Sequence, residues 1–265
     1  MSTKLTLEQI EAYWKSQAVN YGEEPEASWS DVNVIQMEIA AVSKWLVDGD
    51  LVLDAGCANG YSTVKLARSK QITIKGLDFI PEMIEYARQR AEKSAPEVRS
   101  RLSFDVGDIT ALSEGDSLYD KVVVVRVLIN LRTWERQKQA LAECIRVLKP
   151  GGTLLISEAT LQGWHNMNKF RKEWNLPEIP MPGFNEYIDE ELLINGIQRD
   201  LRLVEVCNFS STYFVGTRII KPLLAQVVGG SINIGDPNME WNRFCAALPA
   251  FGDYGTQKLF IFRKS

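Results

Sequence analysis

The sequence predicts a doubly wound α/β domain: a mostly parallel sheet covered by helices on both faces, with a helical or irregular cap. Three observations carry that prediction. Short apolar runs alternate with amphipathic segments between residues 51 and 157. One of those runs is four valines in succession, Val122 to Val125, the composition of a central strand buried on both sides. A turn carrying Gly56 and Gly60 joins the first run to a helix, as at the start of a βαβ unit.

Taken in order, Thr6 with Gln9 reads as a capping box that opens a short helix through about Lys15. Ser30 or Asp31 opens a second, in which Val34, Met37, Ala41 and Trp45 recur at helical spacing. Residues 1–48 are therefore expected to form an N-terminal helical lid ahead of a main domain, 49–265. Within that domain strands are predicted at Leu51 to Asp54, Ile72 to Leu77, Leu102 to Asp105, Lys121 to Arg126 and Thr153 to Ser157. Helices are predicted at Tyr61 to Ser69, Pro81 to Ala95 and Thr133 to Leu148. After Ser157 the rhythm is lost. Trp164, Trp174, Tyr187 and three prolines follow without periodicity, so cap insertions are expected at about 159–200 and 210–255, with one helix near Met167 to Trp174. Strands at Leu203 to Phe209 and Lys258 to Phe262 close the chain.

Composition excludes several classes of function. At 265 residues the chain suits one large domain with a sizeable core. Thirty Lys plus Arg against thirty-four Asp plus Glu lack the basic excess that nucleic acid demands. Cys57, Cys144, Cys207 and Cys245 are widely spaced and form no CxxC, and His165 is the single histidine, so neither a metal site nor a disulfide framework is expected. The amino-terminal segment has no signal-peptide core, and the longest apolar run is broken by Arg126 and Asn130. A cytoplasmic protein without a membrane segment is the expectation.

The turn from Asp54 to Gly60 is the most informative stretch. A nicotinamide-type GxGxxG anchored on Gly56 requires glycine at 58 and glycine or alanine at 61, where this chain has Ala58 and Tyr61. The Lys-Ser/Thr of a P-loop is missing as well. What is left is an acid at a strand tip, followed by small residues that let the backbone approach a ligand; a cationic cofactor suits Asp54.

These residues resemble a family. Asp54-Ala-Gly-Cys-Ala-Asn-Gly60 is similar to the first motif of class I S-adenosylmethionine (SAM) dependent methyltransferases, with Ala58 where a middle glycine is common. Gly76-Leu-Asp-Phe-Ile-Pro-Glu-Met-Ile-Glu-Tyr-Ala87 resembles the second strand end and following helix, Val106-Gly-Asp-Ile109 the third motif, and Arg146-Val-Leu-Lys-Pro-Gly-Gly152 the turn before the fifth strand. The resemblance implies a seven-stranded Rossmann-like sheet with an antiparallel last strand, SAM as cofactor and S-adenosylhomocysteine as product. It places Gly56, Ala58 and Gly60 along the methionine part and Asp54 near its ammonium. Asp78, eighteen residues after Gly60, is expected on the ribose hydroxyls, Asp108 on the adenine amino group, and Phe79 and Ile109 beside the ring.

The acceptor side is read from the strand ends. Arg126 interrupts an apolar strand and needs an anionic partner: Asp54, the carboxylate of SAM or an acidic acceptor. Asn130 and His165 are candidates for facing the transferred methyl group, and Glu158 for a carboxylate toward the acceptor. Tyr13, Trp14 and Tyr21 are candidate aromatic partners of the sulfonium. Asn168, Arg171, Tyr187, Tyr213 and Arg218 offer donors and rings suited to a small polar acceptor. Val127-Leu-Ile-Asn-Leu131 and Phe251-Gly-Asp-Tyr254 resemble a subgroup that methylates sugars and related metabolites. The competing readings are a SAM-binding regulatory or scaffold protein without turnover, and a nucleotide-cofactor oxidoreductase. Beyond the small acceptor no partner is expected, with a homodimer left open.

Overall fold

The computed structural model describes residues 4–229 and 232–265. The elements are α1 (Leu7–Tyr21), α2 (Val32–Ser43), β1 (Leu51–Ala55), α3 (Tyr61–Ser69), β2 (Thr73–Asp78), α4 (Pro81–Glu92), α5 (Pro96–Arg99), β3 (Leu102–Val106), β4 (Tyr119–Val125), α6 (Trp134–Val147) and β5 (Leu148–Ala159). There follow α7 (Leu161–Glu173), α8 (Glu190–Ile197), β6 (Leu201–Cys207), α9 (Ser211–Val215), α10 (Lys221–Val228), α11 (Glu240–Ala247) and β7 (Gln257–Lys264). The seven strands lie in the order β3-β2-β1-β4-β5-β7-β6. β1 pairs in parallel with β2 and β4, whereas β7 runs antiparallel to both β5 and β6. The seven-stranded sheet with its antiparallel last strand is thus as the sequence led one to expect.

Strand order reverses between β1 and β4, which opens a crevice at their carboxyl ends. The alternation of β4 explains its valine run: Val122 and Val124 enter the core under α6 and α8, while Val123 enters the core shared with α2 and α3.

Where boundaries move, local chemistry accounts for it. The first helix continues past Lys15 to Tyr21 because no breaker intervenes before Gly22, which takes a positive φ of 55°. The helix expected through Ala95 stops at Glu92, since Ala95 precedes Pro96 and adopts extended backbone. The segment after β5 begins in a helix and is irregular only beyond it: Thr160 accepts from the Gly163 N–H and starts α7 well ahead of Met167. The two cap regions contain α8, α9, α10 and α11, none of which the sequence pattern announces.

Candidate active site

The crevice is a cleft of about 340 Å³ over the ends of β1, β2 and β4. Its floor is the turn after β1. Gly56 has a φ of +95°, and a Cβ built there would lie 2.0 Å from Val127 Cγ2, so the glycine turn and the corner after β4 touch directly. Ala58 also takes a positive φ, 47°, a strained conformation for a residue with a side chain. Its N–H donates to Asp78 Oδ2 at 2.9 Å, which ties the turn to the tip of β2.

Three acids face this floor. Asp54 is 3% exposed, and its Oδ2 accepts from Thr63 Oγ1 at 2.5 Å. Asp78 accepts from Ala58 N through Oδ2 and from Ile80 N through Oδ1, each at 2.9 Å. Burial pushes the carboxyl groups of both Asp54 and Asp78 up to about 6. Asp108 receives Thr110 N and Thr110 Oγ1 on Oδ1, both at 2.8 Å. Ile109 is buried beside it, and Phe79 stands 44% exposed at the rim.

Of the residues expected to contact cofactor, Asp54, Gly56, Ala58, Asp78, Phe79, Asp108, Ile109 and Arg126 line the cleft. Gly60 and Tyr21 do not. Gly60 is buried behind the turn as the N-cap of α3, and Tyr21 is exposed at the end of α1. Arg126 pairs with Glu38 rather than with Asp54: Glu38 Oε2 stands 3.2 Å from Arg126 Nε, in ion-pair contact but without hydrogen-bond alignment. The guanidinium also lies over the Trp29 ring, 5.2 Å from its centroid.

The acceptor side differs more. Of Asn130 and His165, expected to face the methyl group, and Glu158, expected toward the acceptor, only Asn130 lines the cleft. It accepts from Trp14 Nε1 at 3.3 Å and donates to the Arg126 carbonyl at 2.9 Å. Glu158 is fully buried behind the cleft wall, because its Oε1 is needed by the N–H groups of Val127 and Leu128. His165 is exposed on α7 and packs against Trp164. The five residues read as acceptor contacts also lie outside the cleft lining. Asn168 bonds both backbone groups of Ile179, and Arg171 holds the Pro177 and Arg218 carbonyls. Tyr187 packs on the core. Tyr213 and Arg218 converge on the buried Asp31, at 2.7 and 2.9 Å. Asn168 and Arg171 thus brace the cap internally, while Tyr187, Tyr213 and Arg218 tie it to the rest of the chain.

The N-terminal helix expected as a lid walls the cleft, and of the aromatic candidates on it only Trp14 is in the lining. What escaped the sequence reading is the rest of that face, Leu7, Glu8, Ile10 and Glu11, together with Arg136 of α6, Glu38 and Asn59. Glu38, 2% exposed, comes from α2 and bonds Ser157 and Gln257 through Oε1. Burial holds its carboxyl above the usual carboxylate range, against the opposing charge of Arg126. Asn59, in the glycine turn itself, donates to the carbonyls of Gly22 and Glu24 at 2.8 Å and so pins the end of α1 to the floor. Asn59→Ala should lower unfolding stability by about 1–2 kcal/mol, since two partly buried backbone carbonyls lose the donor that ties them to the turn. Thermal unfolding with limited proteolysis of residues 4–24 checks this; an unchanged melting temperature and cleavage pattern would show that α1 is held elsewhere. A metal-binding group of three or more His, Cys, Asp or Glu side chains is not found among the described residues, and no described helix is long and apolar enough to cross a membrane.

Comparison with known proteins follows from this geometry. A family model described as a methyltransferase domain matches residues 46–192. The chain is 33% identical over 115 residues to methyltransferase GfsG of Streptomyces halstedii, covering 43% of this chain and 40% of that protein. It is 35% identical over 108 residues to the demethylmenaquinone methyltransferase of Deinococcus radiodurans, covering 40% and 42%. The match therefore spans about two fifths of the length of these relatives. Among solved structures, magnesium protoporphyrin IX methyltransferase from Synechocystis PCC 6803 superposes with a TM-score of 0.64 at 15% identity, over 98% of this chain and 100% of that one. The [4+2]-cyclase SpnF superposes with a TM-score of 0.58 at 20% identity, over 87% and 80%. These two likenesses concern the fold. The family model spans more than half the chain and includes the glycine turn, Asp78 and Asp108, and by that match the chain belongs to the class I S-adenosylmethionine-dependent methyltransferases.

Proposed function

We propose that this chain transfers a methyl group from SAM to a small polar acceptor, a sugar or related metabolite being the class the sequence resembles. When bound, SAM supplies a sulfonium-activated methyl group for in-line displacement by an acceptor atom. The single observation that carries the reading is the row of acids along one cleft: Asp54, Asp78 and Asp108 at the ends of β1 and β2 and just past β3, over a glycine floor. Their chemistry fits the donor. Asp54 suits an ammonium group, the Asp78 carboxylate suits a pair of ribose hydroxyls, and Asp108, which engages Thr110 through Oδ1, suits an exocyclic amine. Phe79 and Ile109 supply apolar surface beside it for a flat ring.

On the acceptor side the proposal shifts from the cap to α1. Leu7, Ile10 and Trp14 offer an apolar face, and Glu8, Glu11 and Arg136 offer polar groups, which suits a small molecule with both. The chain's part in the reaction is to orient the two reactants and keep water out, with α1 as the cover. Two relatives, a 27-O-demethylrifamycin SV methyltransferase of Amycolatopsis mediterranei, 30% identical over 113 residues, and the demethylmenaquinone methyltransferase, are named for different small molecules, which leaves the acceptor atom to experiment.

Calorimetric titration of the purified protein with SAM, using NAD as the control ligand, tests the donor assignment. Saturable SAM binding with no response to NAD is expected. Binding of NAD, or no binding of SAM by a folded and ligand-free sample, would overturn the reading.

A further inference from the structure

We infer that Glu158 is a positioning residue for the donor cleft. It acts through the backbone of Val127 and Leu128, fixing the corner after β4 against Gly56. The inference rests on the proposed donor site, since the corner it fixes is one wall of that site.

The chain leaves β4 through an unusual corner. Arg126 takes a φ of +56°, left-handed backbone that a long side chain seldom adopts, and Leu128–Asn130 then form one turn of 3₁₀-helix. The first N–H groups of such a turn have no partner within it. Glu158, at the end of β5, meets them: its Oε1 lies 2.8 Å from Val127 N and 2.7 Å from Leu128 N. The same oxygen thereby sets where Val127 stands. Val127 is the residue whose Cγ2 occupies the space beside Gly56, so its position decides the width of the cleft at the glycine floor. Arg126 and Asn130, on either side of the clamp, also line the cleft.

Other tethers hold the corner but not this point. Arg126 N donates to the Ser157 carbonyl, Asn130 Nδ2 to the Arg126 carbonyl, and Gln137 Nε2 to the Leu128 carbonyl. Each of them engages a different group, and none replaces the acceptor for the Val127 and Leu128 N–H groups. The second oxygen of Glu158, Oε2, is buried with no hydrogen-bond partner, and the residue has no exposed surface. An apolar side chain of that volume would fill the space but leave the Val127 and Leu128 N–H groups without an acceptor. Keeping a half-used carboxyl in the core is explained by the two donors it caps.

The test separates acceptor capacity from charge and from folding. Glu158→Gln keeps an oxygen for both N–H groups, whereas Glu158→Ala removes it. Both are measured for SAM affinity by calorimetry, for melting temperature and for amide exchange at Val127 and Leu128. Glu158→Ala is expected to weaken SAM binding by about 10- to 100-fold, because two backbone N–H groups at the wall of the cleft lose their acceptor, with exchange accelerated at these two amides. Glu158→Gln is expected to melt at a lower temperature because its amide N–H replaces the unpaired oxygen, yet to bind SAM within about threefold of wild type. Should Glu158→Ala not fold, Glu158→Gln decides alone: retained affinity at reduced melting temperature supports the clamp, and lost affinity in a folded sample overturns it. A folded Glu158→Ala with wild-type SAM affinity also overturns it. If the wild-type protein itself fails to bind SAM, the donor reading falls first, and the amide exchange of Val127 and Leu128 still reports whether the clamp exists.

Discussion

Gly56→Ala should abolish measurable SAM binding and lower unfolding stability by about 2–5 kcal/mol, through backbone strain and overpacking together. The methyl group would be built 2.0 Å from Val127 Cγ2 and 3.3 Å from Val127 Cβ, so either the corner after β4 or the floor of the cleft must move. Either movement misplaces the backbone that a donor has to approach. The two components can be separated inside the same protein. Gly49 has nearly the same φ, +93°, but a Cβ there meets nothing within 4 Å. Gly49→Ala therefore carries the conformational penalty alone, about 1–3 kcal/mol, and should leave SAM affinity unchanged. Gly115→Ala, at an ordinary φ with open space, should be near neutral. Thermal unfolding and calorimetry on the three variants check the ordering. A Gly56→Ala protein that binds SAM as Gly49→Ala does would show that the contact with Val127 does not shape the site.

The contrast between the two halves of the cleft explains what could be read in the chain and what could not. The donor half is built from turns. Asp54 to Gly60, Asp78 and Asp108 each end or follow a strand, and the strand, the small residues and the acid are adjacent in sequence, so a local pattern announces them. The half proposed for the acceptor is built from contacts between distant segments. Trp14 reaches Asn130, and Glu38 reaches Arg126, Ser157 and Gln257. Within its own helix Glu38 is one more polar residue on an amphipathic face, and nothing nearby signals that it is 2% exposed. The opposite error follows from the same cause. Tyr213 and Arg218 have the chemistry of ligand contacts, yet the partner that claims them is Asp31, more than 180 residues earlier in the chain. Composition identifies groups capable of recognition, and only the fold shows which are already engaged. Glu158 is the intermediate case: its strand end was legible, but its direction was not, because the N–H groups it serves come from an unanticipated turn.

Asp78→Ala should raise the dissociation constant for SAM by at least about 10- to 150-fold, the equivalent of 1.5–3 kcal/mol for charge-assisted hydrogen bonds to the ribose hydroxyls. It should also loosen the floor, because Ala58 N and Ile80 N lose their acceptor. A pH series on the wild-type protein distinguishes the two effects. In the free protein burial pushes the carboxyl groups of Asp54 and Asp78 up to about 6, above their value in an unfolded chain. The free folded state therefore binds more protons than the unfolded state between about pH 4 and 6, and these two groups make it more stable as the pH falls through that window. Donor binding has the opposite sign, since the cation and the hydroxyls both favour the ionised carboxylates. SAM affinity should be level above pH 6 and fall below it, about tenfold per pH unit if one carboxylate must ionise and more steeply if both must. In Asp78→Ala the slope should become shallower as well as the affinity lower, leaving Asp54 as the titrating group. Isothermal titration between pH 5 and pH 8, with melting temperatures of the ligand-free protein over the same range, measures both signs. An affinity independent of pH down to 5, in a ligand-free protein whose melting temperature does rise as the pH falls to 5, would mean that neither acid meets the donor in its ionised form, and the recognition of SAM would have to be sought among the uncharged groups of the floor.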